Sequence, residues 1–334
     1  MLMYVLDSLR LSDPDRAVIV VGHKAERVTR KIGDAETALP LEFVEQRVQR
    51  GTGDAVLVGL VGLPDDADGE AEGDVIVLPG DTPLLRPETI AALVERHRSH
   101  DVAATILTAR LADPTGYGRI VRGKGDRVVR IVEHGDATPD ELAIDEINTS
   151  IYCFRHSVLA PALRRLEPDN AQGEYYLTDV IAVLAEAGYT IESMVADDAL
   201  ETSGVNDRLQ LAEAEAELRR RTNDHLGRNG VTMLDPANTF VDTTVTVGRD
   251  VTLFPGTILQ GDTAIGDGSE IGPNTRLVDC SVGSNCVVEN STGRQAWVGD
   301  GAHVGPYAAL VPGTKLADGT VTGPFYNSAS DGEG

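Results

Sequence analysis

The stretch VTVGRDVTLFPGTILQGDTAIGDGSEIG, Val245 to Gly272, sets an aliphatic residue at Val247, Leu253, Leu259, Ile265 and Ile271, six residues apart each time. The series runs back to Val241 and on to Leu277, shortens its step to Val282 and Val288, and after an interruption resumes at Val298, Val304, Leu310 and Leu316. Glycine follows the aliphatic residue at 248, 266, 272, 283, 299 and 305. A helix repeats at 3.6 residues and a flat strand at two, so neither generates this pattern. A parallel β-helix does, because each short face turns one aliphatic residue inward. About four coils are expected between residues 230 and 325.

Upstream the periodicity is different. Ala17–Val21, Asp74–Leu78 and Ala103–Thr108 read as buried strands, and Pro87–Arg96 as a helix with proline in its first turn. Aliphatic strands alternating with helices predict a mostly parallel, doubly wound α/β sheet over residues 1–208. The chain opens on a helical pattern, with Leu2, Val5, Leu6 and Leu9 on one face. Residues 209–229 read as a polar helical linker: Leu211, Ala214 and Leu218 share a face, and Glu215/Arg219 and Glu217/Arg221 are spaced as i,i+4 pairs. Residues 326–334 have the composition of a disordered tail.

The 334 residues carry a net charge of −24 and only four lysines. So acidic a surface repels phosphate backbones and argues against nucleic acid or an anionic membrane as partner. An anionic small substrate then needs a locally positive site or a metal. The sequence contains no apolar run of membrane-spanning length and no signal-peptide pattern. Cys153, Cys280 and Cys286 lack metal-ligand spacing, which predicts packing thiols in a reducing cytoplasm.

The motifs QRVQRGTGDA (46–55), VLPGDTPLL (77–85), DPTGYGRIVR (113–122), VEHGDAT (132–138), EINTSIYCF (146–154), NAQGEYYLTDVI (170–181) and GVNDRLQL (204–211) follow one another at domain-scale spacing. Together with the hexapeptide repeat they resemble the bifunctional bacterial N-acetylglucosamine-1-phosphate uridylyltransferase/glucosamine-1-phosphate acetyltransferase family, over nearly the whole chain. The resemblance implies a nucleotidyltransferase domain followed by a left-handed β-helix. It also implies Mg²⁺ as cofactor, UTP and N-acetylglucosamine 1-phosphate as substrates, and a homotrimer packed through the β-helix.

Carried over by position, the resemblance assigns Gln46, Gly51, Thr52 and Gly80 to the nucleotide, Gly118, Glu133 and Asn148 to the sugar, and Asp81 and Asn206 to the metal. The types suit the tasks. A glutamine amide offers donor and acceptor to a pyrimidine edge, and Mg²⁺ takes one or two carboxylates with phosphate oxygens and water. Taken alone, the Gly51-Thr-Gly53 loop reads first as a strand-to-helix turn, and the motifs around it reverse that preference. Tyr175 and Tyr176 are expected to pack beneath the sugar site without a catalytic role. No covalent intermediate is required, so no side chain is assigned as nucleophile or base, and positioning and electrostatics carry the chemistry.

Two departures follow from the same resemblance. The family's first strand and its Gly-x-Gly-Thr-Arg phosphate loop with a following lysine have no counterpart here, and nothing before Lys24 replaces the lysine. Losing one such donor lowers rate by about 10²–10³. This leaves two expectations, a true start upstream of Met1 or a degenerate homologue. In the repeat, GPYAALVPG (305–313) has Ala309 and Val311 where arginines are implied, and the later coils have no counterpart, so acetyltransferase activity is expected to be absent. The alternatives are a non-catalytic nucleotide-sugar-binding or assembly homologue, and a uridylyl- or thymidylyltransferase for another sugar 1-phosphate.

Overall fold

The structure is a computed structural model that describes residues 1–22, 25–33, 39–63 and 73–329. Lys24 and the last five residues of the expected tail lie outside the described residues. The chain divides into two compact units, Met1–Gln210 and Leu211–Gly334.

The first unit runs α1 (Leu2–Asp7), β1 (Ala17–Val21), α2 (Ala25–Gly33), β2 (Leu41–Glu45), α3 (Thr52–Gly59), β3 (Asp74–Val77) and α4 (Pro87–Ser99). It continues with β4 (Ala104–Arg110), β5 (Arg119–Arg122), β6 (Val128–Val132), α5 (Pro139–Leu142), β7 (Glu146–Arg155), α6 (His156–Leu163), α7 (Asp179–Glu186) and β8 (Ile191–Val195). The sheet is mixed, which corrects the mostly parallel expectation. β1 and β2 pair in parallel as a sheet of two strands. The larger sheet has six, in which β7 is antiparallel to β3, β4 and β5, and only β4 and β8 run parallel.

Both faces of the larger sheet are covered. Tyr152, Phe154 and Ile106 meet Leu159, Leu163, Val180 and Ile181 of α6 and α7 on one side. On the other, Leu107, Ile151 and Cys153 meet Ile90, Leu93 and Val94 of α4. Glu201, buried at 1%, accepts from the Arg86 amide at 3.2 Å and the Thr89 hydroxyl at 2.7 Å, placing a carboxylate at the positive N-terminus of α4. Among the described strands β1 pairs only with β2 and β3 only with β7, and the other edges of β1 and β3 line one cleft of about 1,380 Å³.

The second unit contains most of α8 (Arg208–Arg228) and a solenoid of two- and three-residue strands, β9 (Thr232–Met233) to β23 (Lys315–Leu316). Glu217 holds Arg221 at 2.7 Å and Arg220 at 2.8 Å, so one carboxylate pins two guanidiniums and its pKa falls to about 2. The solenoid has three parallel sheets of five strands each, hence five turns where about four were expected. Of the aliphatic series, Val241, Leu253, Leu259, Ile265, Ile271, Leu277, Val282, Val288, Val298, Val304, Leu310 and Leu316 are buried in one core, with Val247 packed against it. The interruption is Gly293, which pairs with Leu277 and Leu310 in register. A Cβ there would come within 3.0 Å of Leu277 Cδ2, so the inward position is narrowed and the coil continues. The expected tail begins inside the last turn: Tyr326 packs against the core and Asn327 bridges Ala309.

Candidate functional site

The 46–54 loop is tied down by its own side chains. The Gln46 amide donates to the Gly51 carbonyl at 3.2 Å and to Asp54 Oδ2 at 2.7 Å. Those donors are therefore committed within the loop, and the oxygen is the group left for a ligand. Gly51 sits at φ 110°, ψ 174°, a region essentially restricted to glycine, and a Cβ would lie 2.6 Å from the Tyr175 carbonyl oxygen. The close approach is a short backbone pairing: Gly53 donates to the Tyr175 carbonyl and the Tyr175 amide to Arg50, both at 2.8 Å. The Thr52 hydroxyl accepts from the Leu177 amide at 3.0 Å. Asn170 closes the preceding turn, its Oδ1 accepting from Gln172 and Glu174, both at 3.2 Å.

The same 170–178 segment reaches the second group of residues. Thr178, nearly fully buried, donates to Glu133 Oε1 at 3.0 Å. Burial raises the Glu133 pKa above its ordinary value, and the Thr178 bond offsets part of that rise. Gly118 accepts from the Asn148 amide at 2.9 Å, and a Cβ on Gly118 would lie 3.3 Å from Glu133 Oε2 and 3.5 Å from Asn148 Cβ. Gly118, Glu133 and Asn148 thus converge, and only glycine leaves the carboxylate open. Tyr175 packs against the sheet core, while Tyr176 stands at the cleft wall.

Asp81 lies in the loop after β3, beyond the strand's last residue. Its carbonyl accepts from Val205 at 2.9 Å, and a Cβ on Gly204 would be 3.5 Å from its Oδ2, so the 204–206 segment runs beside it. The Asn206 amide is held by Gln210 Oε1 at 2.7 Å. Among the described residues no cation pairs with Asp81. A carboxylate and an amide oxygen are donor types that Mg²⁺ takes together with phosphate oxygens and water, so the chemistry of the two side chains fits that ion. No group of three or more His, Cys, Asp or Glu side chains suited to a metal occurs among the described residues.

Gln46, Thr52, Gly80 and Glu133 line the cleft of about 1,380 Å³. Gly51, Gly118 and Asn148 stand directly behind its wall through the bonds given above. Asp81 and the 204–206 segment beside it are not part of the lining. Among the described residues two arginines line the cleft, Arg16 and Arg98, and Arg98 is held by Asp74 at 2.7 Å. Sequence reasoning passed over Thr178. Its one sequence cue was its place in YYLTD, three residues after Tyr175.

Comparison with known proteins identifies the family. Residues 1–217 match the nucleotidyl transferase family. The chain is 44% identical over 334 residues to the bifunctional protein GlmU of Streptomyces avermitilis, covering 99% of this chain and 68% of that protein. It is 46% identical over 338 residues to the GlmU protein of Streptomyces coelicolor, with the same coverage of 99% and 68%. It is 44% identical over 322 residues to that of Mycobacterium tuberculosis, covering 96% and 64%.

Proposed function

The chain belongs to the nucleotidyl transferase family and, within it, to the bifunctional GlmU proteins, and from that premise we propose that its sugar-1-phosphate uridylyl transfer uses UTP and N-acetylglucosamine 1-phosphate. The products are UDP-N-acetylglucosamine, a cell-wall precursor, and pyrophosphate. The observation that carries this reading is the 170–178 segment. It binds the 50–53 loop through Tyr175 and Leu177 and the sugar-side carboxylate through Thr178, so both halves of a nucleotide-sugar site share one wall.

In this reading the uracil meets the loop backbone and the Gln46 oxygen, with Gly51 and Thr52 setting the loop's shape. Gly80 borders the nucleotide. Glu133, Asn148 and the Gly118 backbone hold the sugar. An oxygen of the sugar phosphate attacks the α-phosphorus of UTP in line and pyrophosphate leaves, a reaction that depends on alignment and charge neutralisation. Asp81 and Asn206 would hold Mg²⁺, which supplies positive charge at the phosphates when bound. Among the described residues the lining offers little positive charge of its own, and slow turnover is expected. The proposal is confined to uridylyl transfer, since Ala309 and Val311 put no guanidinium on the solenoid where arginines are implied.

We place the protein in the cytoplasm, where nucleoside triphosphates are available; among the described residues no helix is long and apolar enough to cross a membrane. We further propose a homotrimer packed through the solenoid, supported by exposed Phe240, Trp297 and the stacked pair Tyr307 and Phe325. A monomer mass by light scattering would remove that part.

The test of the main reading is pyrophosphate release with UTP, Mg²⁺ and either N-acetylglucosamine 1-phosphate or glucose 1-phosphate. Release with the acetylated sugar, lowered about 10²-fold or more in Asp81→Asn, is the expected result. Preference for glucose 1-phosphate would reassign the sugar. UDP-N-acetylglucosamine binding without any release would make the chain a binding homologue.

A further inference from the structure

Arg119, on β5, is a buried guanidinium with no carboxylate against it. The residue is 1% exposed and forms no salt bridge among the described residues. Its Nε is buried without a hydrogen-bond partner there. The Asp113 carboxylate feels its charge only weakly: the Asp113 pKa is lowered first by hydrogen bonds to Thr115 and last by Arg119. A buried charge without a partner is unfavourable, and a methionine would fill the same space without it. What the guanidinium does hold is the Tyr117 carbonyl, to which its Nη1 donates.

That carbonyl belongs to the peptide that carries the Gly118 N–H. The backbone donors just before it are all engaged: Thr115 with Asp113 Oδ1 at 3.1 Å, Gly116 with His134 Nδ1 at 3.3 Å, and Tyr117 with the Pro114 carbonyl at 3.2 Å. Gly118 breaks the series. It accepts from the Asn148 amide at 2.9 Å, but among the described residues its own N–H returns no bond to β7 and has no other partner. The residue is buried, and buried amides left without a partner are rare. The Tyr117–Gly118 peptide is trans, so the N–H points away from the carbonyl that Arg119 grips. A Cβ on Gly118 would lie 3.3 Å from Glu133 Oε2, and Glu133 lines the cleft.

We propose that Arg119 is a positioning residue: its bond to the Tyr117 carbonyl fixes and polarises the Tyr117–Gly118 peptide, so that the Gly118 N–H is preset for an acceptor oxygen of the bound sugar. The inference rests on the nucleotide-sugar reading above and deepens it by naming the residue that sets one of its donors. A charge-assisted bond at the carbonyl end is about twice as strong as a neutral one, and hydrogen bonds in series polarise one another. An uncompensated guanidinium thus acts on the one amide of the 115–118 turn that the protein leaves unpaired.

The experiment is calorimetric titration of wild type, Arg119→Met and Arg119→Lys with UDP and with UDP-N-acetylglucosamine, with the Gly118 amide followed by NMR. In the wild type the Gly118 amide proton is expected to move downfield with UDP-N-acetylglucosamine and not with UDP. Arg119→Met is expected to bind UDP-N-acetylglucosamine about 5- to 30-fold more weakly with UDP binding unchanged. Arg119→Lys can still donate to the Tyr117 carbonyl and should recover part of that loss. A merely structural arginine would move both ligands together or neither, and either result overturns the inference. Should Arg119→Met fail to fold, the wild-type signal decides: a Gly118 amide unmoved by bound UDP-N-acetylglucosamine overturns the inference and leaves the sugar reading standing. A wild-type chain that binds UDP but not UDP-N-acetylglucosamine removes the sugar reading itself, and the inference with it.

Discussion

Thr178 donates its hydroxyl hydrogen to Glu133 Oε1 at 3.0 Å and so ties the 170–178 segment to a carboxylate of the cleft wall. Burial works against ionisation of Glu133 and the hydrogen bond works for it, with burial the larger effect.

That balance sets a pH dependence. A carboxyl whose folded pKa lies above its unfolded value of about 4.5 binds more protons in the folded state, so stability is fully present below that pH and declines as pH rises through the folded pKa. Glu133→Gln removes the titration while leaving an oxygen for Thr178. Its Tm is expected above wild type at neutral pH, with the gap closing by about pH 4. Thr178→Val, which leaves the carboxylate unsupported, is expected to steepen the wild-type decline. Thermal melts of the three proteins across pH check both outcomes; a gap that stays constant with pH would exclude the titration.

Gly51 makes the loop's close approach possible. Gly51→Ala combines a disallowed φ with a Cβ 2.6 Å from the Tyr175 carbonyl. The substitution is expected to lower stability by about 1–3 kcal/mol and to open the 50–53/175–177 pairing. Urea unfolding measures the first effect. Loss of protection at the Gly53 and Tyr175 amides measures the second, and unchanged exchange there would contradict it.

The two sheets of the first unit are expected to differ in local stability. β1 and β2 pair only with each other among the described strands, and an isolated two-stranded sheet is marginal in water. β4 and β7 are paired along their length and covered on both faces. Native-state hydrogen exchange should therefore show β1 and β2 opening at markedly lower free energy than β4 and β7. Uniform protection across both sheets would show that the cleft-side edges are less exposed to opening than their pairing implies.

Legibility differed between the units for physical reasons. The solenoid could be read because one residue per face must point inward, so its architecture is written as a period; even Gly293 occupies its slot. The number of turns was less legible because the step shortens at Val282 and Val288 and Gly293 stands where an aliphatic residue is expected. In the first unit the strands Ala17–Val21 and Asp74–Val77 were visible as aliphatic runs, but strand direction is not encoded in such runs. The antiparallel insertion of β7 was therefore missed. Gly118, Glu133 and Asn148, proposed to hold the sugar, were assigned only through their motifs, since a single polar residue at a strand end has no period. Thr178 looks like a packing residue in one dimension; its bond to Glu133 exists only because the fold brings the two together.

In the solenoid, hydroxyls rivet one coil to the next. Ser269 is fully buried, donates to the Gly283 carbonyl at 2.9 Å and accepts from the Cys286 amide at 3.0 Å. Thr275 makes the same two-way link, to the Val288 carbonyl at 3.2 Å and from the Ser291 amide at 3.4 Å. The Cys286 thiol continues the ladder by donating to Gly299 at 3.1 Å. Ser269→Ala removes both bonds of one rivet and leaves a buried carbonyl and a buried amide without partners. Each orphaned group costs about 1–3 kcal/mol, so a loss of roughly 2–5 kcal/mol is expected after partial relaxation. Ser269→Cys keeps a weak donor and acceptor of the kind already present at 286, and should recover part of that loss. Chemical denaturation of the wild type and both variants gives the order directly; an alanine variant as stable as wild type would mean the ladder is held by its backbone pairing alone.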